Sequence, residues 1–463
     1  MKVREPNHQL AAVMARAACS NKALARRVQD VAASHGVDVR CDHVSVKRWL
    51  DGMHPRGLTP HFIAEALSRK LGERVSVRDI GMLYAEATPF AASSRQQQQA
   101  DCLAEGVTAL VSGDLSANPQ VVEREVSADS WNDSMVTWLV NPVSIPRRLA
   151  EGRLVTASSV EAVRETTAMF AKLDYRFGGG HARSTVVQYI AMEVEPLLKH
   201  VRPDTTLGKQ FLSETAAMLR LAAWMAYDTG RHGLAQQYMT KALHLAREAD
   251  NRMLGGRILA GMSHQANYLG HYGMAVNLAR AAQMGAKDAA TPTAMALFSA
   301  MEARALASQG DEAGCSRALG EAERWFERRV PEDDPVWLRY FDEAELAAEF
   351  AHCFRDLGHH HRARDRVLES VQLSKSLYVR SLSFVRTILA TSHVAGGELE
   401  HGLAVAREVV TTVADLRSAR TRRYVREFVK QLARYGNDPR VRQFQTFTET
   451  RLARARAEAG AAR

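Results

Sequence analysis

Glycine punctuates the second half of this chain at a near-constant interval. Gly230, Gly270, Gly310, Gly358 and Gly397 are separated by 40, 40, 48 and 39 residues, and each stands between one apolar helical pattern and the next. Five positions beyond each glycine comes a small residue: Ala235, Ala275, Cys315, Ala363 and Gly402. Twelve positions beyond come Ala242, Ala282 and Ala322, then Ser370 and Val409. Small side chains at fixed offsets let two helices cross closely. One helix pair cannot bury its own apolar face, so successive pairs must stack. The region from about Val160 to the end is therefore predicted to be an all-α solenoid, with a weaker sixth unit around Gly436.

The pattern resembles the tetratricopeptide repeat, with helices longer than those of its usual 34-residue unit. That resemblance implies a right-handed superhelix with a concave binding face.

The first 86 residues read differently. Residues 5 to 17 form one helical pattern, with Leu10, Val13, Met14 and Ala17 on a face. Ser20 is placed to cap a second helix that runs to about Ser34 and stops at Gly36. After a long connection, Val44 to Leu50 forms a short helix, apolar at Val46, Trp49 and Leu50, polar at Ser45, Lys47 and Arg48, and closed by Gly52. Thr59 opens a fourth helix that ends at Gly72, and Ser76 to Leu83 reads as a fifth. A helix followed by a short basic helix is the DNA-reading element of a helix-turn-helix domain. Ser45, Lys47 and Arg48 are expected to face base edges, with His43 at the start of the same helix. Lys and Arg suit guanine N7 and O6. Ser20, Asn21 and Lys22 at the second helix's N-terminus, and Arg56 beyond the third helix, are expected to meet phosphates.

Charge distribution supports this reading. Residues 1–78 carry a formal +7, the last residues from Arg417 carry +9, and the stretch between sums to −7. Nucleic acid is favoured at the basic head and disfavoured along the acidic middle. The basic tail reads as a solubilising terminal cap, with a second DNA contact as the alternative. The five cysteines are scattered without Cys-x-x-Cys spacing, which points away from zinc or a disulfide framework. No signal-peptide core follows Met1 and no apolar run is long enough to span a bilayer, so a cytoplasmic, nucleoid-associated protein with no membrane partner is expected.

Other motifs carry less. Gly178-Gly179-Gly180-His181 precedes a helix but has no following Gly-Lys-Ser/Thr, so it is not a P-loop, and a sharp connection is the simpler reading. His181 and Arg183 remain candidates for an anionic ligand. Trp224, Tyr227, His232, His264, Tyr268 and Tyr272 cluster around the first repeat turns, as pocket lining for a peptide or small molecule or as packing. His359-His360-His361 lacks further ligands at metal-site spacing and reads as a solvated turn. The run Ala91 to Gln99 reads as a linker, and residues 103 to 150, around Trp131 and Trp138, match no fold. No catalytic constellation or cofactor motif stands out, so neither an enzyme nor a cofactor is expected.

Ala23-Leu24-Ala25-Arg26-Arg27-Val28 and Ser45-Val46-Lys47-Arg48-Trp49-Leu50-Asp51-Gly52 resemble the Cro/repressor-type helix-turn-helix. With the runs Phe177 to Arg183 and Ala223 to Ala235, the whole is similar to actinobacterial, Streptomyces-type regulators that join such a head to a tetratricopeptide body. The resemblance implies a helix-turn-helix domain at 1–86, a linker and connecting segment at 87–159, and a repeat domain at 160–463. It further implies a transcription regulator of development or secondary metabolism. A single reading helix buries little surface, so a homodimer on double-stranded DNA is expected, its repeats serving dimerisation or effector sensing. Two alternatives stand beside it: a repeat scaffold that binds protein and not DNA, and an enzyme with its site near His181.

Overall fold

The computed structural model describes residues 6–34, 39, 41–53, 55, 59–73, 75–77, 79–82, 92–140, 155–375 and 377–461. Among these the fold is all-α, with no strand. Contacts divide the chain into two compact units, Met1–Ala92 and Ser93–Arg463, referred to below as the head and the body.

The head contains α1 (His8–Arg16), α2 (Asn21–Ser34), α3 (His43–Leu50) and α4 (Thr59–Leu71). Leu10, Leu24, Val28, Val46, Ile63, Leu67 and Ile80 are fully or almost fully enclosed and form one core, with Trp49 against them. The described part of Ser76 to Leu83 departs from the predicted fifth helix. Ser76 and Asp79 exchange hydrogen bonds, the Met82 amide donates to the Val77 carbonyl, and Gly81 follows at φ +66°. Side-chain caps so close together compete with helical bonds, and a turn results. Asn7 then ties the domain shut. Its amide N–H donates to the Leu50 carbonyl and its side chain donates to the Ile80 carbonyl.

The body begins with α5 (Ala92–Leu115), α6 (Pro119–Val122) and α7 (Ala128–Val140). The polar run expected as a linker thus lies within α5. Of the segment that matched no fold, the described residues 103–140 include α7, which packs on the repeats. Trp131 and Trp138 are both buried, and Gly255 and Gly285 lack the Cβ that would collide with the Trp138 indole. Gln236 binds the Ser127 backbone through both ends of its amide. After α8 (Ala157–Phe177), α9 (Arg183–Tyr189), a π-helical turn and α10 (Glu195–Leu198) come five helix pairs. These are α11 (Thr206–Asp228) with α12 (His232–Glu248), α13 (Arg252–Tyr268) with α14 (Tyr272–Ala286), α15 (Pro292–Gln309) with α16 (Glu312–Glu327), α17 (Glu343–Asp356) with α18 (His360–Leu373), and α19 (Val379–Ala395) with α20 (Leu399–Asp415).

All five turns use the same closure. The repeat glycines have φ between +78° and +87°, and the next residue's amide reaches back to a carbonyl five residues earlier: Arg231 to Ala226, His271 to Ala266, Asp311 to Leu306, His359 to Phe354, Glu398 to His393. This Schellman geometry satisfies the free carbonyls at the first helix's end and strongly favours a residue without a Cβ. The small residues predicted at the helix crossings are buried there, and a Cβ on Gly402 would meet the Ala390 carbonyl at 2.9 Å. The 48-residue interval holds two 3-10 turns, Pro331–Asp333 and Val336–Leu338, anchored by the Asp334 carboxylate, which accepts from Thr291 and Thr293. Gly436 does not repeat the pattern (φ +49°). It lies between α21 (Ala419–Gln431) with its 3-10 extension and α22 (Pro439–Ala461), which cover the end of the array.

The two ends of the array meet. Asp174 of α8 and Arg380 of α19 form a buried bidentate ion pair at 2.7 and 2.8 Å. The Phe177 carbonyl accepts from the Arg417 amide, and the Arg417 carbonyl accepts from the Gly180 amide. Asp228 accepts from the Gly179 amide and from the Ser418 hydroxyl. The glycine run is therefore a close-packed seam. A Cβ on Gly179 would lie 2.8 Å from the Met225 backbone.

Candidate functional site

The head presents an exposed helix face. Asp42 caps α3, accepting from the Ser45 amide and hydroxyl at 2.8 Å each, and these bonds hold its carboxyl below the usual carboxylate range. Ser45, nominated for base edges, serves the capping box with its amide and hydroxyl. Val46 and Trp49 turn into the core. The opposite side of the helix carries Val44, Lys47, Arg48 and Asp51, all exposed, at the i, i+3, i+4, i+7 spacing of one face. Sequence reading missed Val44 as a surface residue; its place on the Lys47/Arg48 face is the signal that identifies it. His43 is exposed at the helix start. At the start of α2 the Ser20 hydroxyl accepts from the Ala23 amide, Asn21 is half-buried and Lys22 is exposed, with Arg26 and Arg27 exposed one turn on. Arg56 lies outside the described residues.

The body contains a cavity of about 80 Å³. Its walls come from α8, from the first helix of every pair, from Tyr340 and Tyr378 beside them, and from α21. Five arginines line it: Arg220, Arg257, Arg304, Arg380 and Arg420. Three carboxylates oppose them, Asp174, Glu345 and Glu349. Arg380 is taken by Asp174, and Arg304 by Glu349 at 2.6 Å. Arg420 lies over the rings of Tyr227 and Phe384, 3.8 Å from Asp228. Burial, together with the nearby charges of Glu349 and Asp342, pushes Glu345 up to about 8 and leaves it mostly protonated at neutral pH. Arg257 is buried above the Tyr340 ring and Arg220 is half-buried. Neither makes an ion pair or a hydrogen bond among the described residues. Burial and then Arg257 bring Arg220 down to about 10, so it stays charged. Unpaired cations held out of water cost stability, and a fold alone does not require them.

The residues nominated from the sequence divide around this cavity. Trp224 and His264 line it. Tyr227 is fully buried behind it, its hydroxyl 2.9 Å from His264 Nδ1, and burial beside Arg420, Arg304 and Arg257 keeps the His264 imidazole neutral. Tyr268, with Arg423 over its ring, borders an outer cavity of about 300 Å³ that shares His264, Arg304 and Tyr424 with the inner one. His232 packs between Tyr227 and Tyr268 and reaches neither cavity. His181 and Arg183 also lie apart from both. His181 stacks on Phe177, and Arg183 is held by Asp114 at 2.6 Å, which also accepts from the Tyr238 hydroxyl. The amides of the glycine run serve the seam and offer no anion cradle. The basic tail is partly internal, since Arg420 and Tyr424 line the cavity.

His359 pairs with Glu312 and His361 with Arg364 at a repeat turn. Among the described residues a different group, His393, Glu398 and His401, has metal-ligand proximity. Its carboxylate is already engaged by Arg364 and His393. No described helix is long and apolar enough to cross a membrane.

Residues 10–83 match the SP15 N-terminal domain, so the similarity covers the head, from α1 through the turns after α4. No curated protein matches the chain.

Proposed function

We propose that this chain is a sequence-specific DNA-binding transcription regulator acting on double-stranded DNA in the cytoplasm, with the head as a helix-turn-helix reader and the body as a tetratricopeptide-like module for dimerisation or effector sensing. The observation that carries this reading is the exposed Val44/Lys47/Arg48 face of a capped short helix whose other side is locked into the core. In a major groove, Arg48 and Lys47 would donate to guanine and Val44 would contact a thymine methyl. Lys22, Arg26 and Arg27 supply phosphate contacts. The resemblance to actinobacterial regulators supports a role in development or secondary metabolism. The body's charge balance agrees, because the cationic surplus of its last residues is partly folded inward at Arg420.

Titrating a mixed-sequence duplex by fluorescence anisotropy tests the electrostatic part. Affinity should fall steeply between 50 and 200 mM salt, as counterion release requires. No binding at the low-salt end would instead favour the scaffold reading. Immunoprecipitation of tagged protein from cells, beside an Arg48→Ala control, tests the specific part. Binding peaks that survive the substitution would remove α3 as the reader.

A further inference from the structure

The arginine cavity has more donors than the protein uses. Arg257 is 93% buried by its 7% relative exposure, and its Nε has no partner. Arg220 shares the space with it and adds a second cation without a carboxylate. His352, equally buried, has an unpartnered Nδ1 in the same wall. Tyr175, Tyr340 and Tyr378 also line the cavity, and their side chains make no hydrogen bond among the described residues. Tyr175 lies 5.2 Å from Tyr378 and 6.3 Å from Tyr340 between ring centroids, so the three form one aromatic wall.

Donors without acceptors, gathered around one cavity, fit a guest that brings acceptors and negative charge. We infer that the cavity binds the terminal oxyanion, carboxylate or phosphate, of a small molecule, held by Arg257 and Arg220 against the tyrosine wall. A volume of about 80 Å³ is room enough for such a group. The outer cavity of about 300 Å³, bordered by Arg355, Arg423 and Tyr268, takes the remainder of the molecule. Arg304 and Arg380 are not the primary ligands, because Glu349 and Asp174 hold them. Binding at this site does not depend on the DNA reading; only its effect on DNA affinity rests on it.

Inorganic phosphate and succinate serve as probes, each titrated into the full chain at ionic strength matched with chloride and in the absence of DNA. Calorimetry and the thermal midpoint are read together. The expected result is saturable binding of at least one probe, weakened tenfold or more in Arg257→Gln and in Arg220→Gln. Succinate alone would identify a carboxylate ligand, phosphate alone a phosphate ester. Arg257→Gln should keep the helical circular dichroism of the parent and melt higher without a probe, because a repulsive buried cation has gone. The proposal is overturned if neither probe binds saturably, or if both variants bind as the parent does. Neither failure bears on the head, and loss of DNA binding leaves this test intact.

Discussion

Arginine serves the two units of this protein in opposite ways. On α3, Arg48 is exposed, makes no ion pair among the described residues, and keeps its hydration. Inside the body, Arg257 is withdrawn from most of that water, and the half-buried Arg220 lines the same cavity. An exposed arginine costs the fold little, so its presence says little by itself; the helix face and cap around it give it meaning. A buried, unpaired arginine costs several kcal/mol, so its presence implies a task. On the readings proposed above, the same side chain would serve an extended surface in one unit and a bound anionic group in the other.

The largest effect should come from the seam that closes the body. Asp174→Asn leaves Arg380 buried with one weaker neighbour, Asp228 at 3.4 Å, and should destabilise the body by about 3–5 kcal/mol in urea unfolding. A loss below about 1 kcal/mol would mean that the backbone contacts of Arg417 close the array without the ion pair. Next is Arg48→Ala, expected to weaken specific DNA binding by about 1–3 kcal/mol while leaving the thermal midpoint unchanged. A fall in stability instead would make Arg48 a structural residue and erase the contrast with Arg257.

Glu345 gives a pH test of the cavity. Its carboxyl is raised from the ordinary 4.5 to about 8, so between these values the folded state holds a proton that the unfolded state has lost. Stability should therefore fall as pH rises from about 4.5 through about 8, and Glu345→Gln should flatten the profile. A flat wild-type profile would place compensating charge at the cavity. The smallest effect belongs to Ser45→Ala, which removes one half of the α3 capping box and should cost the head about 1 kcal/mol, seen as faster amide exchange in α3. No change in exchange would show that Asp42 and the core hold α3 without it.

The repeat glycines were legible because the constraint is local: a left-handed turn residue with a fixed hydrogen-bond pattern must recur wherever the helix pair does. The α2 start was legible for the same reason, since Ser20 caps within three residues; the Asp42 cap of α3, one residue before the helix begins at His43, was not read from the sequence. The cavity was only half legible. Trp224 and His264 stood out as aromatic and polar residues near turns. The arginines did not, because they converge from α11, α13, α15, α19 and α21, and only helix register brings them together. A faint signal existed in a lone arginine inside an apolar run, as at Leu219-Arg220-Leu221 and Ala303-Arg304-Ala305. The closure at Asp174 and Arg380 spans 206 residues, beyond any local pattern. The ion pair of Arg183 was not legible, because its partner, Asp114, sits in the segment that the sequence left without a fold.

Selection of randomised double-stranded oligonucleotides on the full chain tests the central claim most directly, with Arg48→Ala selected in parallel. The expected result is one enriched motif from the parent chain, containing guanine at a position that becomes tolerant of other bases in the variant. Enrichment of no motif, or of the same motif with unchanged guanine preference in both, would contradict the assignment of α3 as the DNA-reading helix.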